Sequence, residues 1–421
     1  MCLASRYFYP AYAGPAVRFH RYASGLQARN VQMRVFAGTS DNIDGHGKAA
    51  GKTVHSSQIR LKNGTLLPLE HVDEIPVQRV QLPPDRGWLR YPLYTRALAH
   101  YCQYSAEPPD LIQFISLSLE AVPWLFQLRR LHLPLVDTQT MVGELSTKLW
   151  KRRLQLLYWR LPFQFMDCIV VSSGVMRDAL YELGVTTRIE VISNGVDLKR
   201  FHPLSALNAR GNLRKQLGLD PAAELILFVG SISPRKGLDV LAEAWSLLGR
   251  KRPRAYLVLV GPGQHEIRPW EPEADFQAKV KATLTRSGAA DRVIFTGPVE
   301  NVEDYLHAAD LFVFPSRREG MPNVVPEAMA CGLPCILTPF LGLPTEFGNP
   351  GEHYMLVERT PEALASAMVT LLDKPEQRQQ LGNQGRKWAE EHMDVEMSLD
   401  QYAALYRELV NRSKRGELRA L

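Results

Sequence analysis

Cysteine is scarce and scattered in this chain. The five cysteines, Cys2, Cys102, Cys168, Cys331 and Cys335, form no disulfide framework. Cys331 and Cys335 lack the second Cys or His pair that would complete a zinc site. Buried free thiols in a reducing compartment are expected. No apolar run reaches the roughly 18 residues needed to span a bilayer. No N-terminal stretch reads as a secretory signal, so a cytoplasmic protein is expected. No Gly-Lys-Ser/Thr follows a glycine at the spacing of a Walker loop. Tandem repeats and low-complexity tracts are also missing. With no recognisable nucleic-acid module, the net charge of +6 points to a membrane surface or an anionic small molecule.

What is present is an ordinary globular composition. The hydrophobic share of 45% and the charged share of 22% suit a soluble fold, and 421 residues exceed what one core usually serves. Strand-like runs alternate with helical ones, which predicts α/β architecture with parallel sheets. In the first half, strands are expected at Val31–Ala37, Leu111–Ile115, Pro134–Asp137 and Cys168–Ser172. Helices are expected at Ala16–Ala28 and Val175–Leu183, the latter stopped by Gly184. In the second half the strands are Leu225–Val229, Tyr256–Val260, Val293–Thr296, Leu311–Phe314 and Cys335–Leu337. Helices fall at Leu238–Leu248, Gln277–Ser287 and Val302–His307. From Pro361 to about Lys414 the chain reads as helical, with breaks near Lys374-Pro375 and His392–Val395. Cys2–Ser5 is a short first strand, and Asp41–Gly64 is a polar, glycine-bearing insertion. Asn194-Gly195-Val196-Asp197 is a turn signal near the middle of the chain.

The most informative stretch runs from Phe312 to Pro334. An apolar strand ends at Pro315, a loop carries Glu319 and Gly320, and Pro322 opens a helix expected from Asn323 to about Cys331. A helix N-terminus offers unpaired N–H groups and a partial positive charge, which suits a phosphate or a polar sugar. Glu319 and Glu327 flank that end and can accept hydrogen bonds from hydroxyls. The ligand expected here is anionic and rich in hydroxyls, and a nucleotide-sugar is one.

These residues resemble the Glu, seven residues, Glu signature of the retaining glycosyltransferases of family 4. The flanks Ala309–Ser316 and Glu327–Pro334 are similar to that family too. The resemblance implies the GT-B fold, two Rossmann-like domains facing across a cleft. The expected domains are 1–197, binding acceptor, 198–385, binding nucleotide-sugar, and 386–421, helices that pack back toward the first. Ser193–Phe201 resembles the family's interdomain segment.

A second phosphate element is Phe228-Val-Gly-Ser-Ile-Ser-Pro-Arg-Lys-Gly237. Gly230 lets the backbone approach a ligand. Arg235 can grip two phosphate oxygens with its planar fork, and Lys236 adds a point charge. The segment resembles the family's Arg-x-x-x-Lys-Gly region, with Ser231 where an arginine often stands. Gly261, in Val260-Gly-Pro-Gly263, and Val299, in Thr296-Gly-Pro-Val299, match turns beside the nucleotide. The resemblance places Glu319, Arg235 and Lys236 at the chemistry. It places Gly14, Gly230, Gly261, Val299, Gly320, Met321, Pro322, Asn323, Val324 and Glu327 around the donor.

Two departures concern the first half. The family's glycine pair is here Gly14-Pro15, and Pro15 lacks an N–H donor. The His that many members carry after the strand at Leu135 is missing, so Arg18, Thr140 and Glu144 are the acceptor-side candidates. Lys148 to Arg160 interleaves basic residues with Trp150, Tyr158 and Trp159. It reads either as a core helix edged by arginines or as a surface resting on anionic lipid. The function implied is transfer of a sugar from a nucleoside diphosphate sugar to a hydroxyl of a glycan or lipid-linked acceptor. Neither a metal nor a cofactor is implied. A nucleotide-sugar epimerase on the same fold and a non-catalytic membrane-surface scaffold are the alternatives.

Overall fold

The computed structural model describes residues 1–5, 8, 14–38, 59–61, 64–81, 90–117, 119–140, 160–203, 207–263 and 275–418. The chain divides into two compact units, Met1–Ser193 with Ser398–Leu421, and Asn194–Met397. The division falls four residues before the expected boundary at 197/198. The returning segment starts at Ser398 rather than 386, because the helix Pro375–His392 packs within the second unit.

The first unit is built on a sheet of ten strands among the described residues. These are β1 (Cys2–Ser5), β2 (Arg34–Gly38), β3 (Ile59–Leu61), β4 (Gly64–Leu66), β5 (Glu70–Val72), β6 (Ile75–Gln81), β7 (Ile112–Ile115), β8 (Leu135–Gln139), β9 (Cys168–Val171) and β10 (Ile189–Val191). The order is β10-β9-β8-β7-β1-β2-β6-β4-β3, with β5 paired to β6. The seven strands from β10 to β6 run parallel, while β3, β4 and β5 pair antiparallel. The purely parallel expectation is therefore corrected at one edge. That edge lies partly inside the Asp41–Gly64 insertion, where β3 forms. Short β1 is central, flanked by β2 and β7. All four of its residues are buried, which a strand covered on both faces requires.

The helix Gly14–Gln27 follows β1, and Gly174–Glu182 follows β9. Ser173 caps the latter, its hydroxyl accepting from Met176 N at 3.3 Å. The end of the chain completes this unit. Tyr402 sits against Phe19 and Tyr22, and Arg29 pairs with Asp400 at 2.6 Å.

The second unit holds a six-stranded parallel sheet: β11 (Glu224–Val229), β12 (Ala255–Val260), β13 (Val293–Gly297), β14 (Leu311–Phe314), β15 (Cys335–Leu337) and β16 (Met355–Leu356). Its order is β13-β12-β11-β14-β15-β16. β11, β12 and β14 read as unbroken apolar runs because helices cover both faces. The helix Leu238–Leu248 buries Leu238, Leu241, Ala242, Trp245 and Leu248, one stripe at helical spacing. Each unit has its own apolar core. Among the described residues no helix is long and apolar enough to cross a membrane.

Candidate active site

The direction of winding reverses in the second sheet between the parallel neighbours β11 and β14. From β11 the chain winds outward through β12 and β13, then returns to start β14 on the other side of β11. In open parallel sheets the loops leaving two such strands part to opposite faces and open a crevice at their carboxyl ends. Arg235 and Lys236 lie on the loop after β11, and Glu319 on the loop after β14. Sequence order separates them by more than 80 residues, and the switch point brings them together.

Glu319 is the centre of this group. Its Oε2 receives Arg235 Nη1 at 2.7 Å, and its Oε1 receives Lys236 Nζ at 2.8 Å. Ser316 Oγ donates to the same Oε1 at 2.5 Å. Burial alone would raise the Glu319 carboxyl, but Lys236 and Arg235 outweigh it and hold the group below the usual glutamate range. Desolvation pulls the Lys236 ammonium down, against the attraction of Glu319. Phe314 adds a ring 4.9 Å from Lys236 Nζ.

The backbone fixes these groups in place. A 3₁₀ turn, Pro234–Lys236, precedes the helix Leu238–Leu248 and presents both cations. Arg235 Nη1 also donates to Arg318 O at 2.8 Å, and Arg317 N donates to Arg235 O at 2.8 Å. Arg317 reaches Asp239 with both terminal guanidinium nitrogens, Nη1 at 2.8 Å and Nη2 at 2.6 Å. Glu319 N donates to Leu341 O at 3.0 Å. Gly342 allows that approach: its φ is +99°, and a Cβ would stand 2.0 Å from Glu319 O.

The glycine turns stack beside this group. Gly230 N donates to Val260 O at 2.8 Å, and Gly261 N to Gly297 O at 2.9 Å. A Cβ on Gly261 would meet Gly230 O at 2.2 Å, so only glycine fits there. Val299 follows β13 and is half-buried against the same core. Gly230, Gly261, Val299 and Glu319 thus line up along the carboxyl edge of one sheet.

The helix after Pro322 spans Val324–Ala330, shorter than the expected Asn323 to Cys331. Asn323 takes the N-cap position with helical backbone and no side-chain cap bond. Its Oδ1 instead accepts from Asn194 Nδ2 at 2.6 Å, and Asn194 also donates to Met321 O at 3.2 Å. The turn at 194 therefore holds the loop that carries Gly320, Met321 and Pro322. Glu327 is 9% exposed, within the helix. Burial would lower the Arg200 guanidinium pKa, but Glu303 outweighs that and Glu327 adds to the rise. Glu319 and Glu327 are thus in different surroundings, one clamped by two cations and one in a helix within the field of Arg200.

In the first unit, Gly14 and Arg18 lie on the helix Gly14–Gln27, and Arg18 is buried with its guanidinium 5.3 Å from the Phe19 ring centroid. Thr140 directly follows β8, with its hydroxyl 3.0 Å from Ser116 Oγ. Glu144 lies outside the described residues, as does Lys148–Arg160 up to residue 159. Sequence reading did not assign Ser316 or Arg317 to the site, and read Asn194 only as the start of a turn. Ser316 stood inside the informative stretch, but its role depends on partners far along the chain. Among the described residues, no three His, Cys, Asp or Glu side chains cluster as metal ligands would.

Comparison with known proteins gives the family and the fold. Residues 223–374 match the family described as Glycosyl transferases group 1, and residues 13–195 match the Glycosyl transferase 4-like domain. A D-inositol 3-phosphate glycosyltransferase of Segniliparus rotundus is 32% identical over 200 residues, covering 47% of this chain and 42% of that protein. The lipopolysaccharide core biosynthesis mannosyltransferase LpsB of Rhizobium meliloti is 35% identical over 173 residues, covering 41% and 45%. The match thus spans a little under half the length of these relatives. Among solved structures, sucrose-phosphate synthase of Thermosynechococcus elongatus superposes with a TM-score of 0.75 at 22% identity, over 98% of this chain and 99% of that one. HepE of Anabaena, solved with UDP and glucose, gives 0.71 at 19%, over 97% and 100%. These structural likenesses carry the fold, which is GT-B. With both family matches in register with its two units, the chain belongs to the group 1 glycosyltransferases of family 4.

Proposed function

We propose that the protein transfers a sugar from a nucleoside diphosphate sugar to an acceptor hydroxyl, with retention at the anomeric carbon. The observation that carries this reading is the Arg235–Lys236–Glu319 group at the switch point of the second sheet. Two cations at one spot suit a diphosphate, and a fixed carboxylate beside them suits sugar hydroxyls. Gly261 lets the Gly230 turn pack close beneath the site, and Gly230 presents bare backbone to a ligand. Glu327 grips the nucleoside ribose. Arg18, Thr140 and Glu144 serve the acceptor from the first unit.

Arg235 and Lys236 neutralise the charge that grows on the departing diphosphate, so no metal is invoked. Attack comes from the face the diphosphate leaves. The acceptor oxygen bonds to the anomeric carbon, the bond from that carbon to phosphate breaks, and a phosphate oxygen takes the hydroxyl proton. The acceptor is a glycan or a lipid-linked sugar. The basic, aromatic segment Lys148–Arg160 supports contact with anionic lipid at the inner face of a membrane. Co-sedimentation with anionic but not neutral vesicles, weakened by salt, is the expected outcome. Equal and negligible binding to both returns the segment to core packing.

The main test incubates the protein with UDP-, GDP- and ADP-sugars and follows nucleoside diphosphate release. Release that acceptor stimulates, and that Lys236→Ala abolishes, is expected. A changed sugar without acceptor identifies an epimerase. Binding without release identifies a scaffold. Product anomeric configuration, read by NMR, decides retention.

A further inference from the structure

Glu319 stands where an anion would. Its carboxylate occupies both cations, Arg235 at 2.7 Å and Lys236 at 2.8 Å. The side chains are largely withdrawn from water: 8% exposed for Glu319, 12% for Lys236 and 31% for Arg235. Ser316 keeps the carboxylate from swinging away. Its single hydroxyl proton faces two acceptors, Glu319 Oε1 at 2.5 Å and Arg235 O at 3.1 Å, and the nearer, charged one takes it. With all three groups ionised, the cluster carries one net positive charge rather than two. A phosphate oxygen entering here shares Arg235 and Lys236 with a carboxylate already bound to them. In a site this dry, charge interactions over about 4 Å are several-fold stronger than in bulk water.

We propose that Glu319, besides facing the sugar, sets the affinity of the site for nucleoside diphosphate and keeps it weak enough to leave. The same carboxylate that aligns the two cations holds back one unit of their charge. Arg235, the most exposed of the three, is the cation a departing diphosphate contacts last. The proposal rests on the donor-site reading above.

Calorimetry with UDP and with inorganic pyrophosphate tests it, on the whole chain at low and high salt. Glu319→Gln should bind both probes roughly tenfold tighter than wild type, with a steeper loss in salt. Arg235→Gln, which leaves the cluster neutral, should bind them at least tenfold more weakly. The double variant Glu319→Gln/Arg235→Gln restores a net charge of one and should return to within about threefold of wild type. It also removes a charge pair as a unit, so it decides the matter if Glu319→Gln does not fold: affinity as low as that of Arg235→Gln then overturns the proposal. Unchanged or weaker binding by folded Glu319→Gln, with wild type binding and Lys236→Ala not, overturns it and leaves the donor-site reading standing. Wild type that binds neither pyrophosphate nor any of UDP, GDP and ADP overturns both.

Discussion

Each unit carries a buried carboxylate, and the two are treated in opposite ways. Asp137 on β8 accepts from Leu117 N at 3.0 Å and from Gln139 Nε2 at 2.6 Å, both neutral donors. Burial dominates, and its pKa is pushed up to about 7. Glu319 in the second unit meets Arg235 and Lys236 and is held below the usual range. The surrounding network differs in the same sense. Around Asp137, Gln113 donates to Thr138 Oγ1 at 2.9 Å and accepts from Tyr406 at 3.2 Å. Neutral hydrogen bonds leave a buried carboxyl ready to take a proton near neutrality, whereas two cations pull it toward the ionised form. A site that handles phosphate needs the second arrangement, because its cations must be charged and in place before the ligand arrives.

Removing a cation should break the contrast most strongly. Lys236→Ala leaves Glu319 buried with one counter-charge fewer, and breaking such a pair costs about 3–5 kcal/mol. Denaturant unfolding should report that loss, and calorimetry a weakened affinity for nucleoside diphosphate. Affinity equal to wild type would remove Lys236 from the phosphate site.

Asp137 makes the opposite prediction in pH. Its folded pKa of about 7 lies above the usual aspartate value of 3.8. Below about pH 4 the group is protonated in both states and costs nothing. As pH rises from about 4 to about 7, the unfolded state gives up its proton first and stability falls, by on the order of 4 kcal/mol in all. Asp137→Asn should flatten that slope. An unchanged slope in urea unfolding between these pH values would place the carboxyl in the ordinary range and dissolve the comparison.

The two glutamates of the second unit sharpen it next. Glu319→Gln should mainly lower kcat, roughly 10- to 100-fold, because its contacts strengthen as charge develops at the anomeric carbon. Glu327→Gln should mainly raise KM, by roughly tenfold, because a ribose contact is uniform between ground and transition states. Steady-state kinetics with a competent donor decides; near wild-type kcat/KM in both would remove these two buried glutamates from the donor site.

The smallest expected effects are local and equal in the two units. Ser173 caps Gly174–Glu182, and Thr360 caps Pro361–Asp373 by accepting from Ala363 N at 3.2 Å. Each change to alanine should cost about 1 kcal/mol. A clear inequality in unfolding free energy would mean that one helix end finds another partner.

The central strands and most of the long helices were legible in the sequence, because burial on both faces writes an unbroken apolar run and burial on one face writes a helical stripe. Leu238–Leu248 was read to the residue, as were the breaks at Lys374-Pro375 and His392–Val395. What escaped includes the helix Arg90–Tyr104 and the seven-residue β6, neither of which was expected, and several segments that are marginal locally. β3, β4 and β5 are three residues each and take their strand form from neighbours, not from their own pattern. The helix Leu207–Gln216 is largely polar, and its anchor is long-range: buried Arg214 reaches Ala308 O at 2.9 Å and Asp310 at 2.7 Å.

By itself, then, the sequence determined the α/β class, the approximate division of the chain and the residues that bear charge at the site, since these depend on patterns within a few turns of chain. The tertiary structure decided the rest. Strand order puts the loops after β11 and β14 side by side, so Glu319 and Lys236 meet although more than 80 residues separate them. The same packing joins Asn194 to Met321, 127 positions away, and turns Ser316 from a strand-end residue into the hydroxyl that holds a carboxylate. Contacts of that kind have no local signature, because each side chain alone would be equally at ease in water.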